Sequence, residues 1–199
     1  MSRNVFISFR YSDGYKYKDY LSALFDDYYD TVDFSEDIDR SNCAESTIKN
    51  YLYSKLRRSS ITIVILTPDA INHRKNWRGE YDDWMYDEIR YSLEDRSGNR
   101  TNGLIAVYTP EAEKYLIERN IDSVSVKDVD NLFRKNMMNV KDIYKKCPTP
   151  GRYDANYDSY CSLVAYGDFV KNFDTYINIA IRKRDEVFKY DIAARMQYK

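Results

Sequence analysis

Two short stretches hold the side chains best suited to chemistry. The first is Phe9-Arg10-Tyr11-Ser12-Asp13, which follows an apolar run, Val5-Phe6-Ile7-Ser8-Phe9. A guanidinium in such a position can grip a phosphate through paired N–H donors, and the flanking rings can sandwich a base or a nicotinamide. Its alternative duty is a bridge from Arg10 to the acidic loop Glu36-Asp37-Ile38-Asp39. The second stretch is Trp84-Met85-Tyr86-Asp87-Glu88-Ile89, in which Trp84 and Glu88 stand four apart and share a face of any helix. The bland reading of Glu88 is an exposed carboxylate paired with Arg90 or a neighbour. Asp82, Asp83 and Asp87 surround it with like charge, which raises the pKa of one or more of these acids and repels a pyrophosphate unless the aspartates face solvent.

Other chemistries find little support. No GxGxxG follows the first apolar run and no GxxxxGK[ST] occurs, so the common phosphate-cradling loops are missing. Three cysteines, Cys43, Cys147 and Cys161, and one histidine, His73, share no metal-ligand spacing. No metal and no bound cofactor is expected.

The elements that would position these residues follow from hydrophobic periodicity. Val5–Phe9, Thr31–Phe34, Ile61–Leu66 and Leu104–Tyr108 read as strands, and Ile61–Leu66 is apolar on both faces, as a central parallel strand requires. Between them, helices are predicted from about Tyr17, over Glu45–Arg58 and over Tyr81–Glu94. Arg10–Gly14 reads as a polar turn, Glu111–Arg119 as a short helix, and about Tyr166–Lys189 as one long helix. The alternation implies right-handed βαβ units in a doubly wound α/β sheet of four to five parallel strands, with helices on both faces. In such sheets ligands bind beyond the C-terminal ends of the strands, near the point where strand order reverses. The loops after Phe9, Phe34, Leu66 and Tyr108 are therefore the places to look.

The bulk properties bound the class. A chain of 199 residues without a Pro/Gly linker or repeat fits one domain, with a core over about residues 3–110 and an elaborated part over 111–199. Lys and Arg number 31 against 32 Asp and Glu, which gives no reason to expect nucleic acid or a membrane surface as partner. No apolar run approaches the roughly 18 residues of a membrane span, and the start lacks a signal-peptide core, so a cytoplasmic location with reduced thiols is expected. The 21 tyrosines suit half-buried positions or an interaction surface.

Four pieces of the sequence, in order, resemble TIR domains. They are Val5-Phe6-Ile7-Ser8-Phe9-Arg10-Tyr11-Ser12-Asp13, the acidic stretch Val32-Asp33-Phe34-Ser35-Glu36-Asp37, Ser59-Ser60 with Ile61–Leu66, and the Trp84…Glu88-Ile89 motif. The bacterial, Thoeris-type antiphage subgroup of TIR-like proteins is the nearest likeness. The resemblance implies a flavodoxin-like fold and a catalytic role for Glu88, near the ribose of NAD. It further implies that Phe9, Arg10, Tyr11, Asp13, Phe34 and Trp84 line the substrate. NAD would be consumed as substrate, giving nicotinamide and an ADP-ribose-type nucleotide, cyclic when a hydroxyl of the same nucleotide captures the sugar. Self-association through TIR-type contacts, a phage-derived trigger and an effector protein reached through the nucleotide product are implied as partners. The alternative within the same family is a non-catalytic scaffold that oligomerises and signals by contact.

Overall fold

The computed structural model describes residues 4–26, 45–71, 84–95, 98, 100–119, 124–127 and 131–194. The central sheet is built from the runs the sequence makes most apolar. Strand β1 (Val5–Ser8), β2 (Ile61–Leu66) and β3 (Gly103–Tyr108) are buried along their whole length. All pair in parallel, Val5 with Ile61 and Ile61 with Gly103. Helix α1 (Tyr11–Asp26) follows β1, while α2 (Glu45–Leu56) precedes β2. Next come α3 (Pro68–Ile71), α4 (Trp84–Leu93) and, after β3, α5 (Pro110–Leu116). Strands β4 (Ile117–Arg119) and β5 (Val124–Val126) form a separate antiparallel ribbon, and α6 (Asn131–Lys135) follows. The fourth strand of the main sheet is β6 (Ser162–Ala165), parallel to β3, succeeded by α7 (Tyr166–Lys171) and α8 (Phe173–Asp185).

Alternation of side chains along the strands creates two apolar layers. Val5, Ile7, Ile61, Ile63, Ile65, Ile105 and Val107 pack with Leu21 and Phe25 of α1 and with Phe173, Ile177 and Ala180 of α8. On the opposite face Val64, Leu66, Leu104 and Ala106 meet Met85, Ile89 and Leu93 of α4, while Phe6 meets Leu56 of α2 and Tyr91 of α4. A sheet covered on both faces needs strands apolar on both sides, which is what β2 and β3 supply. Helices α1 and α2 thus cover opposite faces of the sheet. Gly103 lets α8 close on β3, because a Cβ there would come within 2.6 Å of the Ala180 carbonyl.

Three expectations need correction. The stretch 10–14 is not a turn before the helix: α1 already begins at Tyr11, with Gly14 N–H donating to the Arg10 carbonyl at 2.7 Å. Asp13 in the first turn favours this start electrostatically, and glycine at 14 lets that turn lie against Phe9, 3.3 Å from where a Cβ would stand. The long helix expected over Tyr166–Lys189 is broken at Asn172 (φ −132°), giving α7 and α8 and then a 3-10 turn over Val187–Lys189. The helix expected over Glu111–Arg119 ends at Leu116, because Ile117–Arg119 pairs with Val124–Val126 instead. The strand expected at Thr31–Phe34 lies outside the described residues. Among the described residues no helix is long and apolar enough to cross a membrane.

The part beyond residue 110 joins the same sheet and core rather than standing apart. Tyr160, Cys161 and Tyr190 enter the α4-side layer, and Tyr160 donates to the Asn102 carbonyl at 2.8 Å. Asn136 clasps the C-terminal segment, donating to the Ala193 carbonyl (2.7 Å) and accepting from the Ala193 N–H (2.9 Å).

Candidate active site

Helix α4 carries the site's acid, and its pose is fixed by a buried polar chain. Its inward stripe reads Met85, Glu88, Ile89, Ser92 and Leu93, so two polar residues sit among three apolar ones. The Ser92 hydroxyl donates to the Glu88 carbonyl at 2.7 Å. Ser92 and Thr62 hydroxyls lie 2.7 Å apart, and Asn102 Nδ2 reaches Thr62 Oγ1 at 3.4 Å and the Leu56 carbonyl at 3.3 Å. The direction of this chain can be deduced. A carbonyl only accepts, so the single Ser92 proton is committed to Glu88, and Thr62 must supply the proton between the two hydroxyls. Donation thus runs from Asn102 to Thr62, to Ser92, to the backbone of Glu88.

This chain also sets the height of Glu88. Helix α4 runs opposite to the strands, since Ser92 accepts from Asn102 N–H at 2.7 Å just ahead of β3. From Ser92 back to Glu88 is one turn, about 6 Å along the axis. From Thr62 to Val64 is two strand residues, about 6.6 Å. Glu88 therefore lies level with Val64 and with Ser8, the register partner of Val64 at the end of β1. Glu88 is 7% exposed, so it is not the solvent-facing carboxylate of the bland reading. Arg90 is committed elsewhere: it meets Asp87 (3.2 Å), Glu94 (3.4 Å) and the Tyr53 hydroxyl (3.0 Å). Asp87, one of the acids that crowd Glu88 in the sequence, thus has its charge balanced. Tyr53 stacks on Tyr91 at 4.1 Å and 7°, which ties α2 to the same helix.

The exit of β1 places the other candidates. Phe9 and Arg10 are half-buried, and Tyr11 opens α1 at 61% exposure. Tyr15 stands one turn on, with its ring 5.3 Å from that of Tyr11 and 6.5 Å from that of Phe9. Asp13 is engaged with protein on both oxygens. Its Oδ1 accepts from the Thr67 hydroxyl at 2.6 Å and its Oδ2 from the Asp69 N–H at 2.9 Å, while Ser12 donates to Asp69 at 2.7 Å. It staples the exit of β1 to the exit of β2 and so holds these two loops together. Phe34 lies outside the described residues, as do Asp82 and Asp83, and of Trp84 only the backbone, at the start of α4, is described.

A second staple, which the sequence alone did not reveal, closes the α1 side. The Tyr17 hydroxyl donates to Glu111 at 2.5 Å, with Lys16 3.5 Å from the same carboxylate. The Tyr17 bond, above all, pulls the Glu111 pKa down to about 2. Tyr166 packs edge-on against Tyr17 at 4.7 Å and donates to its carbonyl at 3.1 Å. The signal available in the sequence was a tyrosine on α1 and an acid directly after the Thr109-Pro110 strand stop; nothing in their spacing links them.

The model of the family described as Thoeris protein ThsB, TIR-like domain, matches residues 6–114. The chain belongs to the Thoeris ThsB TIR-like family. The matched stretch runs from within β1 to the body of α5, and so contains Phe9, Arg10, Tyr11, Asp13, Phe34, Trp84 and Glu88. Strand β6 lies beyond it yet belongs to the same sheet, and α7 and α8 pack into the same core.

Proposed function

We propose that this ThsB-family domain breaks the bond between nicotinamide and ribose in NAD, with Glu88 as the carboxylate that steadies the reacting sugar. The observation that carries the reading is the burial of an acid on α4, one helical turn from the Ser92–Thr62 contact, a spacing that sets it about level with the end of β1. As the C–N bond lengthens, its electron pair leaves with nicotinamide, which departs neutral. Positive charge then develops at the ribose carbon and its ring oxygen. A fixed carboxylate in a poorly solvated place stabilises that charge more than water would, because it is already oriented and weakly screened. No general acid is required, since the leaving nitrogen ends without a proton to gain.

Attack by water on the cation, with loss of a proton, yields ADP-ribose; attack by a hydroxyl of the same nucleotide yields a cyclic isomer. In this reading Arg10 takes the pyrophosphate, and Phe9 and Tyr11 flank a ring, with Phe34 and Trp84 completing the pocket. Asp13 acts on the substrate through the loops it staples. The product serves antiphage defence by reaching an effector protein, a phage component acts as trigger, and self-association assembles the active form. The test is mass spectrometry of NAD incubated with the intact chain and with Glu88→Gln. Nicotinamide with ADP-ribose or its cyclic isomer should form only with the former.

A further inference from the structure

The end of β1 holds a buried polar atom that none of the described residues bonds. Ser8 is 1% exposed, and its Oγ has no hydrogen-bond partner among the described residues. Burying a hydroxyl unpaired is unfavourable, and native chains rarely leave one so outside functional sites. Nothing in the strand demands a serine here: the residues around it, Val5, Phe6 and Ile7, are apolar, and a small apolar side chain would pack as well.

Its position gives the orphan atom a meaning. Side chains two apart on a strand share a face, so Ser8 points as Phe6 does, into the layer formed with α2 and α4. Ser8 pairs with Val64 in the sheet, and one helical turn back from the Ser92–Thr62 contact brings Glu88 to about the same level on the helix above. The chain opens to solvent immediately afterwards, through half-buried Phe9 and Arg10 to exposed Tyr11. Ser8 is thus the last fully buried residue of the strand before the chain reaches solvent.

We propose that Ser8 is a substrate-binding residue, whose hydroxyl is kept unpaired in the free protein so that it can bond a ribose hydroxyl of the nucleotide held against Glu88. A serine hydroxyl donates once and accepts as well, matching a sugar hydroxyl that does both. This assignment rests on the NAD-cleaving reading above and deepens it by naming a group that grips the sugar.

The decisive measurement uses Glu88→Gln, which removes turnover and lets binding be measured at equilibrium. NAD affinity is compared by calorimetry between that variant and the same chain with Ser8→Ala added, and thermal midpoints are recorded for wild type and Ser8→Ala without ligand. The expected result is NAD binding about tenfold weaker with Ser8→Ala, equivalent to about 1.4 kcal/mol. The ligand-free midpoint should be equal to or above that of wild type, since the change removes an unpaired buried group. Ser8→Cys, of similar size with a weaker donor, should fall between the two in affinity. Unchanged affinity with a raised midpoint would overturn the role of Ser8 while leaving the NAD reading intact. A lowered midpoint would show that the hydroxyl serves the fold and would overturn it as well. If the wild-type chain neither binds nor cleaves NAD, both the reading and this assignment fall.

Discussion

The buried chain Asn102–Thr62–Ser92–Glu88 has a direction, and a direction makes two substitutions unequal. Ser92→Ala removes the acceptor of the Thr62 proton, leaving a buried donor unpaired. Such a loss costs about 1–3 kcal/mol, offset by about 0.5 kcal/mol from the better helix propensity of alanine. Thr62→Val removes a donor and gives up only the long 3.4 Å bond from Asn102: Ser92 still donates to Glu88, and the Asn102 amide keeps the Leu56 carbonyl. Valine suits a buried strand, so the expected cost is about 1 kcal/mol or less. Changing both residues together takes away the donor with its acceptor, so the pair should cost less than the sum by about 1 kcal/mol. For a chain of this length each kcal/mol moves the thermal midpoint by about 2–4 °C, which puts Ser92→Ala about 1–10 °C down. A double-mutant cycle read by thermal and urea unfolding measures all three values. Strict additivity within about 0.5 kcal/mol, or a greater loss from Thr62→Val than from Ser92→Ala, would refute the assigned direction of donation.

Other consequences follow from the staples and from the far end of the sheet. Asp13→Ala removes the acceptor of both the Thr67 hydroxyl and the Asp69 N–H, and should lower stability by about 1–3 kcal/mol. Asp13→Asn, which retains one acceptor oxygen, should lose less than half of that in urea unfolding. Lys183 is fully buried on α8, donating to the Ala155 carbonyl at 2.9 Å and to Ser162 at 3.0 Å, and burial lowers its pKa from 10.5 to about 8. The folded chain therefore binds fewer protons than the unfolded one above pH 8, and stability rises with pH there, by at most about 1.4 kcal/mol per pH unit. Burial pushes the neighbouring Cys161 thiol the other way, upward from 9.0, so it opposes this rise above about pH 9. The wild-type urea midpoint should climb between pH 8 and 9 and level off above, while Lys183→Met should show no climb; a fall in the wild type across that interval would contradict the sign.

How much of this was legible in the sequence depended on whether the cause was local. Ile61–Leu66 and Leu104–Tyr108 are apolar throughout, and only a central strand uses such runs, so the parallel sheet could be read directly. Strand β6 could not. Ser162-Leu163-Val164-Ala165 is four residues long and owes its strand form to the edge of β3, a tertiary partner no local pattern announces. The start of α1 was hidden for a different reason: Ser12, Asp13 and Gly14 are turn formers by propensity, and it is packing against Phe9 and bonding to the β2 exit that make them a first helical turn. In the candidate site, the spacing of Trp84 and Glu88 fixed a shared helix face but not which face. Ser92 held the clue, since a serine four residues after Glu88 within a stripe of Met85, Ile89 and Leu93 needs a buried partner. That partner, Thr62, lies 30 residues away in a strand, so only the fold could reveal it.

The central claim is that one interior carboxylate performs the bond-breaking step. Its most direct test is product analysis of NAD by mass spectrometry with the wild-type chain and Glu88→Gln, each first shown to unfold cooperatively at a similar midpoint. The account predicts nicotinamide and an ADP-ribose-type product from the wild type, in its assembled form if not as the free chain, and loss of at least about a hundredfold in rate for Glu88→Gln, on the scale seen when one fixed transition-state stabiliser is removed. An intact wild-type assembly that leaves NAD unconsumed, or a folded Glu88→Gln that turns it over at the wild-type rate, would contradict it.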